Sequence, residues 1–340
     1  MSRYQIGVVG LVHDHVWDVV PGFLADVRSE IVAVADVNPP LLAQAKEKWN
    51  VQQVFECWNE MLEKTQLDAI IVYGENSMAA EVVEAAAARR IHVMVEKPMA
   101  ATLEQADRML IAARRAGITL MVNWPTAWNP NFATAVDMAT TGELGEVFKV
   151  RYRAGHEGPQ EYGCTPYFCE WLFDKGRNGG GALIDYCCYG AAYAACLLGR
   201  PNAATAVAGR MVREYITVED NAVILAKYNK GLAICEASWT TYGLGYELMI
   251  NGSKGTVRSD GRSVQIAHNS DEGPQSVEVR PLSEDKRNAA AHFLACLEQQ
   301  RAPEGLCDPV VSRNAQEILE AGILAAETGS TVPFPVVSRR

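Results

Sequence analysis

The feature that most constrains this chain is a rhythm. Over its first 123 residues, short apolar runs of strand length alternate with stretches of helical period. Strands are expected at residues 4–10, 31–36, 53–55, 69–73, 92–95 and 119–122, with helices at 40–49, 78–89 and 103–116 between them. The last helix opens with Thr102 three residues before Gln105, the spacing of a capping box. Short strands alternating with helices build a parallel sheet wound on both faces. Its strands are buried on both sides, which suits an unbroken run such as Ala69-Ile70-Ile71-Val72.

After residue 124 the rhythm changes. A helix at 131–140 leads into a period-two segment at 145–152, then a loop rich in Gly, Pro and aromatics. A long apolar helix is expected at 181–198. Alternating segments follow at 205–213, 221–228, 232–239, 246–250, 256–259, 264–268 and 277–280, and two helices at 285–300 and 312–328 close the chain. Alternation with turns between segments predicts an antiparallel or mixed sheet with one exposed face. The chain therefore divides into residues 1–123 and 124–340, in keeping with a length of 340 and a hydrophobic content of 49%.

Charge and cysteines narrow the function. A net charge of -10 without a basic stripe argues against nucleic acid or an acidic membrane as partner. No stretch is expected to span a membrane, because Ala182–Leu198 holds Asp185, three tyrosines and a glycine. Nine cysteines without a CxxC pair fit neither a disulfide framework nor a zinc site, so a reducing cytoplasm is the expected setting.

Gly7-Val8-Val9-Gly10 ends the first strand and leads into a helix, a turn whose N–H groups can hold a pyrophosphate. The usual G-x-G-x-x-G reads Gly10-Leu11-Val12-His13-Asp14-His15, with only the first glycine kept, so side chains at 12 and 15 crowd the phosphates. Asp36, 26 residues after Gly10, closes the second strand. A carboxylate there binds the ribose hydroxyls and repels a 2′-phosphate, and Val37 offers no compensating charge. These are the elements of a Rossmann site for NAD, with NADP disfavoured. His13 and His15 raise the question of a metal. No third ligand stands at a recognisable spacing, so none is expected.

Val95-Glu96-Lys97-Pro98-Met99-Ala100 resembles the Glu-Lys-Pro signature of the glucose–fructose oxidoreductase / inositol dehydrogenase (Gfo/Idh/MocA) family. Residues 69–84, 142–147, 179–185 and 219–222 resemble the family at matching places, so the likeness covers nearly the whole chain. It implies an N-terminal Rossmann doubly wound parallel sheet and a C-terminal α/β domain on a large, mostly antiparallel open sheet. It also implies a homodimer or homotetramer assembled through that sheet, and NAD(P)-linked oxidation of a sugar, polyol or related hydroxy compound.

By the resemblance, Lys97 meets the reacting hydroxyl and the nicotinamide ribose, after a Lys-Pro bond that can be cis. An ammonium can hydrogen-bond the oxygen, and burial that lowers its pKa would make it a base. Asp185 lies on an apolar helix where an unpaired carboxylate is costly, so it pairs with Lys97 or contacts substrate. The family's histidine four residues on is Tyr189 here, on the same side of the helix as Asp185. Tyr189 either relays a proton, its pKa lowered by Lys97, or only packs. The strand ends add Leu11, Val12, Tyr73, Gly74, Asn76, Glu96 and Asn123 as cofactor contacts.

Departures mark a divergent branch. The family's Asn-x-x-His reads Asn76-Ser77-Met78-Ala79, and an arginine common in the segment after the sixth strand is Ala127. Trp124 and Trp128 form either an aromatic wall for a sugar or core packing. His156, a reserve acid/base, and Glu157 and Tyr186 are further substrate candidates. Lys175 and Arg177 either bind an anionic group or are surface charges. Three activities stay open: a dehydrogenase acting on CH–OH groups with Lys97 as acid/base, an NAD-dependent glycosidase working by transient oxidation and elimination, and a non-catalytic nucleotide-binding regulator.

Overall fold

The computed structural model describes residues 3–243, 245–269 and 271–337. The expected alternation folds as a six-stranded sheet of β1 (Tyr4–Val9), β2 (Ser29–Ala35), β3 (Gln53–Phe55), β4 (Ala69–Val72), β5 (His92–Glu96) and β6 (Leu120–Asn123). All neighbours are parallel, in the order β3-β2-β1-β4-β5-β6. The helices are α1 (Val16–Ala25), α2 (Pro39–Trp49), α3 (Trp58–Lys64), α4 (Ala79–Ala88) and α5 (Leu103–Ala116). The capping box forms: Gln105 N–H donates to Thr102 Oγ1 at 3.3 Å, and Thr102 N–H to Gln105 Oε1 at 3.2 Å. Strand order reverses between β1 and β4, where ligands of such sheets bind. At that point Gly10, with φ of +80°, crosses Gly74 so closely that a Cβ on Gly10 would lie 2.4 Å from the Gly74 nitrogen.

The second half begins with α6 (Pro130–Thr140), β7 (Val147–Gly155), α7 (Pro159–Tyr162), α8 (Pro166–Leu172), α9 (Lys175–Asn178) and α10 (Ala182–Leu198). It continues with β8 (Ala203–Gly209), β9 (Asn221–Tyr228), β10 (Gly231–Ser238), β11 (Gly245–Gly252), β12 (Gly255–Ser259), β13 (Val264–Ala267) and β14 (Gln275–Ser276). It ends in α11 (Ala289–Glu298), α12 (Pro309–Thr328) and β15 (Val332–Pro333). The nine strands form one sheet in the order β14-β13-β12-β11-β7-β10-β9-β8-β15, antiparallel except for β7 beside β10.

The expectations fail in places with identifiable causes. The strand expected to reach residue 213 stops at Gly209, because the N–H groups of Met211, Val212 and Arg213 turn to the Asp220 carboxylate at 2.7–2.8 Å. The strand expected at 277–280 is absent. Pairing ends at Ser276, and the Arg280 N–H donates instead to Thr134 on α6. The loop expected before residue 181 holds the three short helices α7 to α9. Thr165 and Asp174 cap the second and third, accepting N–H bonds from Phe168 and from Gly176 and Arg177.

Helix α10 lies against β7, β10 and α12 and is buried over nearly all its length. Its glycine-rich start is a packing requirement. The Glu219 carboxyl accepts the N–H groups of Gly181 and Leu183 at 2.6 and 3.1 Å, and a Cβ on Gly181 would stand 2.2 Å from the Glu219 carbonyl oxygen. Contrary to expectation, Lys175–Leu198 is long and apolar enough to cross a membrane by composition. It is instead a core segment, with 83% of its apolar window buried in the fold. The chain finally returns to its first half: Phe293 of α11 meets Phe23 of α1, ring centroids 6.4 Å apart, inside the core around β1.

Candidate active site

Two openings lie along the C-terminal edge of the first sheet. One is a cleft of 240 Å³ lined by Gly10, Val12, Asp36, Val37, Asn38 and Gly74. The other is a cavity of 290 Å³ lined by Asp14, His15 and Lys97 from the first half and by His156, Asp185 and four tyrosines from the second. The segment from Gly10 to His15 borders both. A larger groove of 540 Å³, lined by Trp128, Phe132, Tyr193 and His292, shares no residue with the Lys97 cavity. Size therefore does not mark the site; the charged pair does.

The cleft suits a nucleotide. Asp36 is buried, with one oxygen accepting the Leu11 N–H at 2.6 Å and the other accepting Asn38 N–H and Nδ2 at 2.7 and 2.8 Å. This fixes a carboxylate at the end of β2, where Oδ2, with one bond accepted, keeps a lone pair for a hydroxyl. The Gly10–Gly74 crossing leaves no room for a Cβ on that wall. Val12, the expected obstruction, is half-buried and packs partly on the core.

In the cavity Lys97 follows β5 through a cis peptide to Pro98, and Asp185 sits on the first turn of α10. Nζ of Lys97 donates to Asp185 Oδ1 at 2.8 Å, and Trp239 Nε1 donates to the other carboxyl oxygen at 3.1 Å. Both charged groups are buried, at 3% and 7% exposure. Burial pulls the lysine pKa down, but the adjacent Asp185 carboxylate outweighs it, so the net shift is upward. Burial pushes the Asp185 pKa up, and the ammonium outweighs that in turn and holds it below the usual value. Lys97 is therefore a fixed ammonium, contrary to the expectation that burial would make it a base.

Tyr189 presents its ring to the ammonium, with Nζ 5.0 Å from the centroid. Its pKa is raised far above the ordinary value, by burial first and then by Tyr246, Cys188, Glu96 and Asp185. The expectation that Lys97 would lower it fails, because the cation faces the ring and desolvation dominates. Tyr186 also lines the cavity and lies edge-on to His156 at 5.2 Å. Burial lowers the pKa of His156, whose Nδ1 accepts the Gly158 N–H at 2.9 Å.

Other expected residues lie elsewhere. Trp124 is buried away from both openings, its indole N–H donating to Ser312 at 3.0 Å, and Trp128 donates to Asn123 and borders the larger groove. Neither ring lines the Lys97 cavity, and Trp124 meets the cavity's Tyr189 edge-on at 5.6 Å from behind. Glu157 is half-exposed and lines neither opening. Tyr73 is fully buried, and Asn76 donates to Asn178 Oδ1 at 2.8 Å, tying the two halves together. Lys175 pairs with Glu327, and Arg177 pairs with Glu75 and Glu170 beside the Asp36 cleft, outside the Lys97 cavity.

Below the cavity, Glu96 accepts Asn123 Nδ2 on Oε2 at 2.6 Å, and its Oε1 lies 3.0 Å from His15 Nδ1. His13 is buried against His15, Phe168 and Trp171, and burial drives its pKa well below the ordinary value. The ligand atoms of His13, His15 and Glu96 all lie within 4.8 Å of one another, so the third group that spacing did not reveal is present in space. Sequence reasoning missed Trp239, Tyr246, Tyr162 and Cys164 as neighbours of the pair. None carries a local signal, since each arrives from a remote strand or short helix.

A nucleotide cleft and a reaction cavity that share one loop are the arrangement of a dinucleotide-linked oxidoreductase. Comparison with known proteins bears this out. Residues 5–124 match a family profile described as "Oxidoreductase family, NAD-binding Rossmann fold", and residues 132–258 match the "GFO/IDH/MocA C-terminal domain". The chain belongs to the Gfo/Idh/MocA family and is an NAD-binding oxidoreductase. It is 24% identical to a myo-inositol 2-dehydrogenase of Thermotoga maritima over 75% of each chain. It is 25% identical to a D-apiose dehydrogenase of Paraburkholderia graminis, over 94% of this chain and 85% of that one. The fold superposes on a levoglucosan dehydrogenase–NADH complex with a TM-score of 0.84 and 21% identity, covering 99% of this chain and all of the other.

Proposed function

We propose that the protein oxidises a hydroxyl group of a sugar or polyol and passes the hydride to NAD. Bound NAD supplies the hydride acceptor. The chain supplies Asp36 for the adenosine ribose and the Gly10–Val12 turn for the pyrophosphate. Lys97 donates a hydrogen bond to the reacting oxygen and stabilises the negative charge that develops there. Asp185, itself held by Trp239, aims the ammonium. The observation that carries this reading is the buried Lys97–Asp185 pair facing a cavity that the nucleotide loop also lines.

The substrate class follows from the cavity and the relatives. A volume of 290 Å³ is at the small end for ligand sites and favours a single-ring compound. Tyr162, Tyr186, Tyr189 and Tyr246 offer aromatic faces for C–H groups, and His156 offers a polar atom for a hydroxyl. The relatives named above are dehydrogenases of inositol, apiose and levoglucosan. The outer face of the second sheet exposes Val207, Val223, Leu225 and Leu232, a surface suited to a second copy of the chain.

The test is incubation with NAD and a panel of monosaccharides, polyols and glycosides, read at the NADH absorbance band. Net NADH formation with one of them is expected. Failure of every nicotinamide nucleotide to bind would remove the reading. Release of an aglycone at catalytic NAD, without NADH, would convert it to a redox-assisted glycosidase.

A further inference from the structure

Oxidising an alcohol requires a base, and the groups around the cavity leave few candidates. Lys97 is a paired ammonium, and against the upward pull of burial that ammonium holds the Asp185 carboxyl below its usual pKa, which weakens it as a base. Asp14 accepts the N–H and hydroxyl of Thr165, one on each oxygen, and so anchors the residue that caps α8. Burial holds the phenols of Tyr186 and Tyr189 in the protonated form and raises the Cys164 thiol to about 12.

Besides Asp18, which is exposed, and the phenols of Tyr162 and Tyr246, two histidines line the cavity, and their hydrogen bonds assign them opposite tautomers. The Nδ1 atom of His156 accepts the Gly158 N–H, so the neutral ring carries its proton on Nε2 and has no lone pair there to receive another. His15 is the reverse. Asn123 Oδ1 accepts the Trp128 N–H at 2.8 Å, which fixes the amide and turns its Nδ2 toward Glu96. Glu96 Oε2 is thus an acceptor, and with the carboxylate ionised Oε1 accepts Nδ1–H of His15 at 3.0 Å. That leaves the Nε2 lone pair of His15 free, on a side chain 36% exposed that lines the cavity beside Lys97.

We infer that His15, oriented by Glu96, is the general base of the oxidation. This rests on the dehydrogenase reading above. The substrate O–H bond breaks and an N–H bond forms at His15 Nε2, while the adjacent C–H bond breaks and its hydride leaves with the electron pair for the nicotinamide of NAD. The carbinol becomes a carbonyl, and NAD is reduced. Glu96 stabilises the imidazolium, Lys97 holds the oxygen throughout, and the proton then passes from Nε2 to water. Glu96 is a positioning residue, since it acts through His15. The position read from sequence as a missing glycine then carries a functional side chain.

The experiment has two arms. In the protein without substrate, 15N NMR of the imidazoles should show His15 protonated at Nδ1 and His156 at Nε2, with E96Q shifting the His15 signals alone. In turnover, H15A should lower kcat by about 10²–10⁴-fold with NAD affinity kept within about three-fold, and added imidazole should restore part of the rate. An Nε2–H tautomer at His15, an H15A enzyme within about three-fold of the parent kcat, or a stoichiometric metal ion in the purified protein that H15A removes would each overturn the inference. If the unmutated protein binds NAD and turns over while H15A is equally active, only the inference fails. If the unmutated protein binds no nucleotide, the dehydrogenase reading fails with it.

Discussion

Replacing Asp185 by Asn tests the centre of the site most directly. At 2.8 Å and an effective dielectric constant near 20, the two charges attract by about 6 kcal/mol before desolvation is subtracted. Removing one partner leaves an uncompensated buried charge, and such changes cost about 3–5 kcal/mol. Urea unfolding at pH 7 should therefore show D185N destabilised by about 3 kcal/mol, and K97M by a similar amount. The double variant K97M/D185L should recover to within about 1 kcal/mol of the parent while remaining inactive, because a packed apolar pair replaces the ionic one at little net cost. The pH window follows from the shifts. Asp185 is depressed on folding, so its share of stability is present above 3.8 and is lost as pH falls through the folded value. Lys97 is raised, so its share is present below 10.5 and is lost as pH rises through the folded value. The stability of the parent relative to the double variant should be level between these limits and fall outside them. Additive losses in the double variant, or a D185N protein as stable as the parent, would refute the coupled-pair argument.

Further expectations are open to direct measurement. Asp36→Ser should weaken NAD binding by about 10–100-fold, through loss of charge-assisted hydrogen bonds, and improve NADP relative to NAD in titration calorimetry. Gly181→Ala should cost about 2–4 kcal/mol in urea unfolding, since its Cβ would stand 2.2 Å from the Glu219 carbonyl oxygen. Trp124→Phe should lower stability by about 1 kcal/mol through loss of the Ser312 hydrogen bond and leave kcat within about two-fold; a large kcat effect would return Trp124 to the substrate wall. Leu225→Asp, on the exposed sheet face, should abolish the proposed self-association in sedimentation velocity and leave the monomer folded.

What was legible in the sequence follows physical range. The parallel sheet could be read because burial on both faces writes itself into its central strands as apolar runs, whereas Lys97 was read from the resemblance of Glu96-Lys97-Pro98 to the family signature. Thr102 and Gln105 were readable because capping is local. Trp239 was not, since its bond to Asp185 joins residues 54 positions apart with no periodic trace. The helices α7 to α9 hid behind Gly, Pro and aromatic content, because each is shorter than the window in which a helical period can be recognised. The protonation of Lys97 and Tyr189 depends on balances between burial and neighbouring charge that residue types alone do not reveal. His15 was weighed as a metal ligand and as a side chain crowding the phosphates, not as a base, because its partner Glu96 is 81 residues away.

The return of α11 to α1 has a consequence for biosynthesis. Phe293, Ala289 and Ala290 complete the hydrophobic wall that Phe23 and Val20 need, yet they leave the ribosome about 170 residues after β6. At elongation rates of about 5–20 residues per second the nascent nucleotide-binding half waits on the order of ten seconds or more with that flank bare. A fragment ending after β6 would carry the same defect permanently, and should be recovered soluble only when a peptide spanning α11 is supplied in trans.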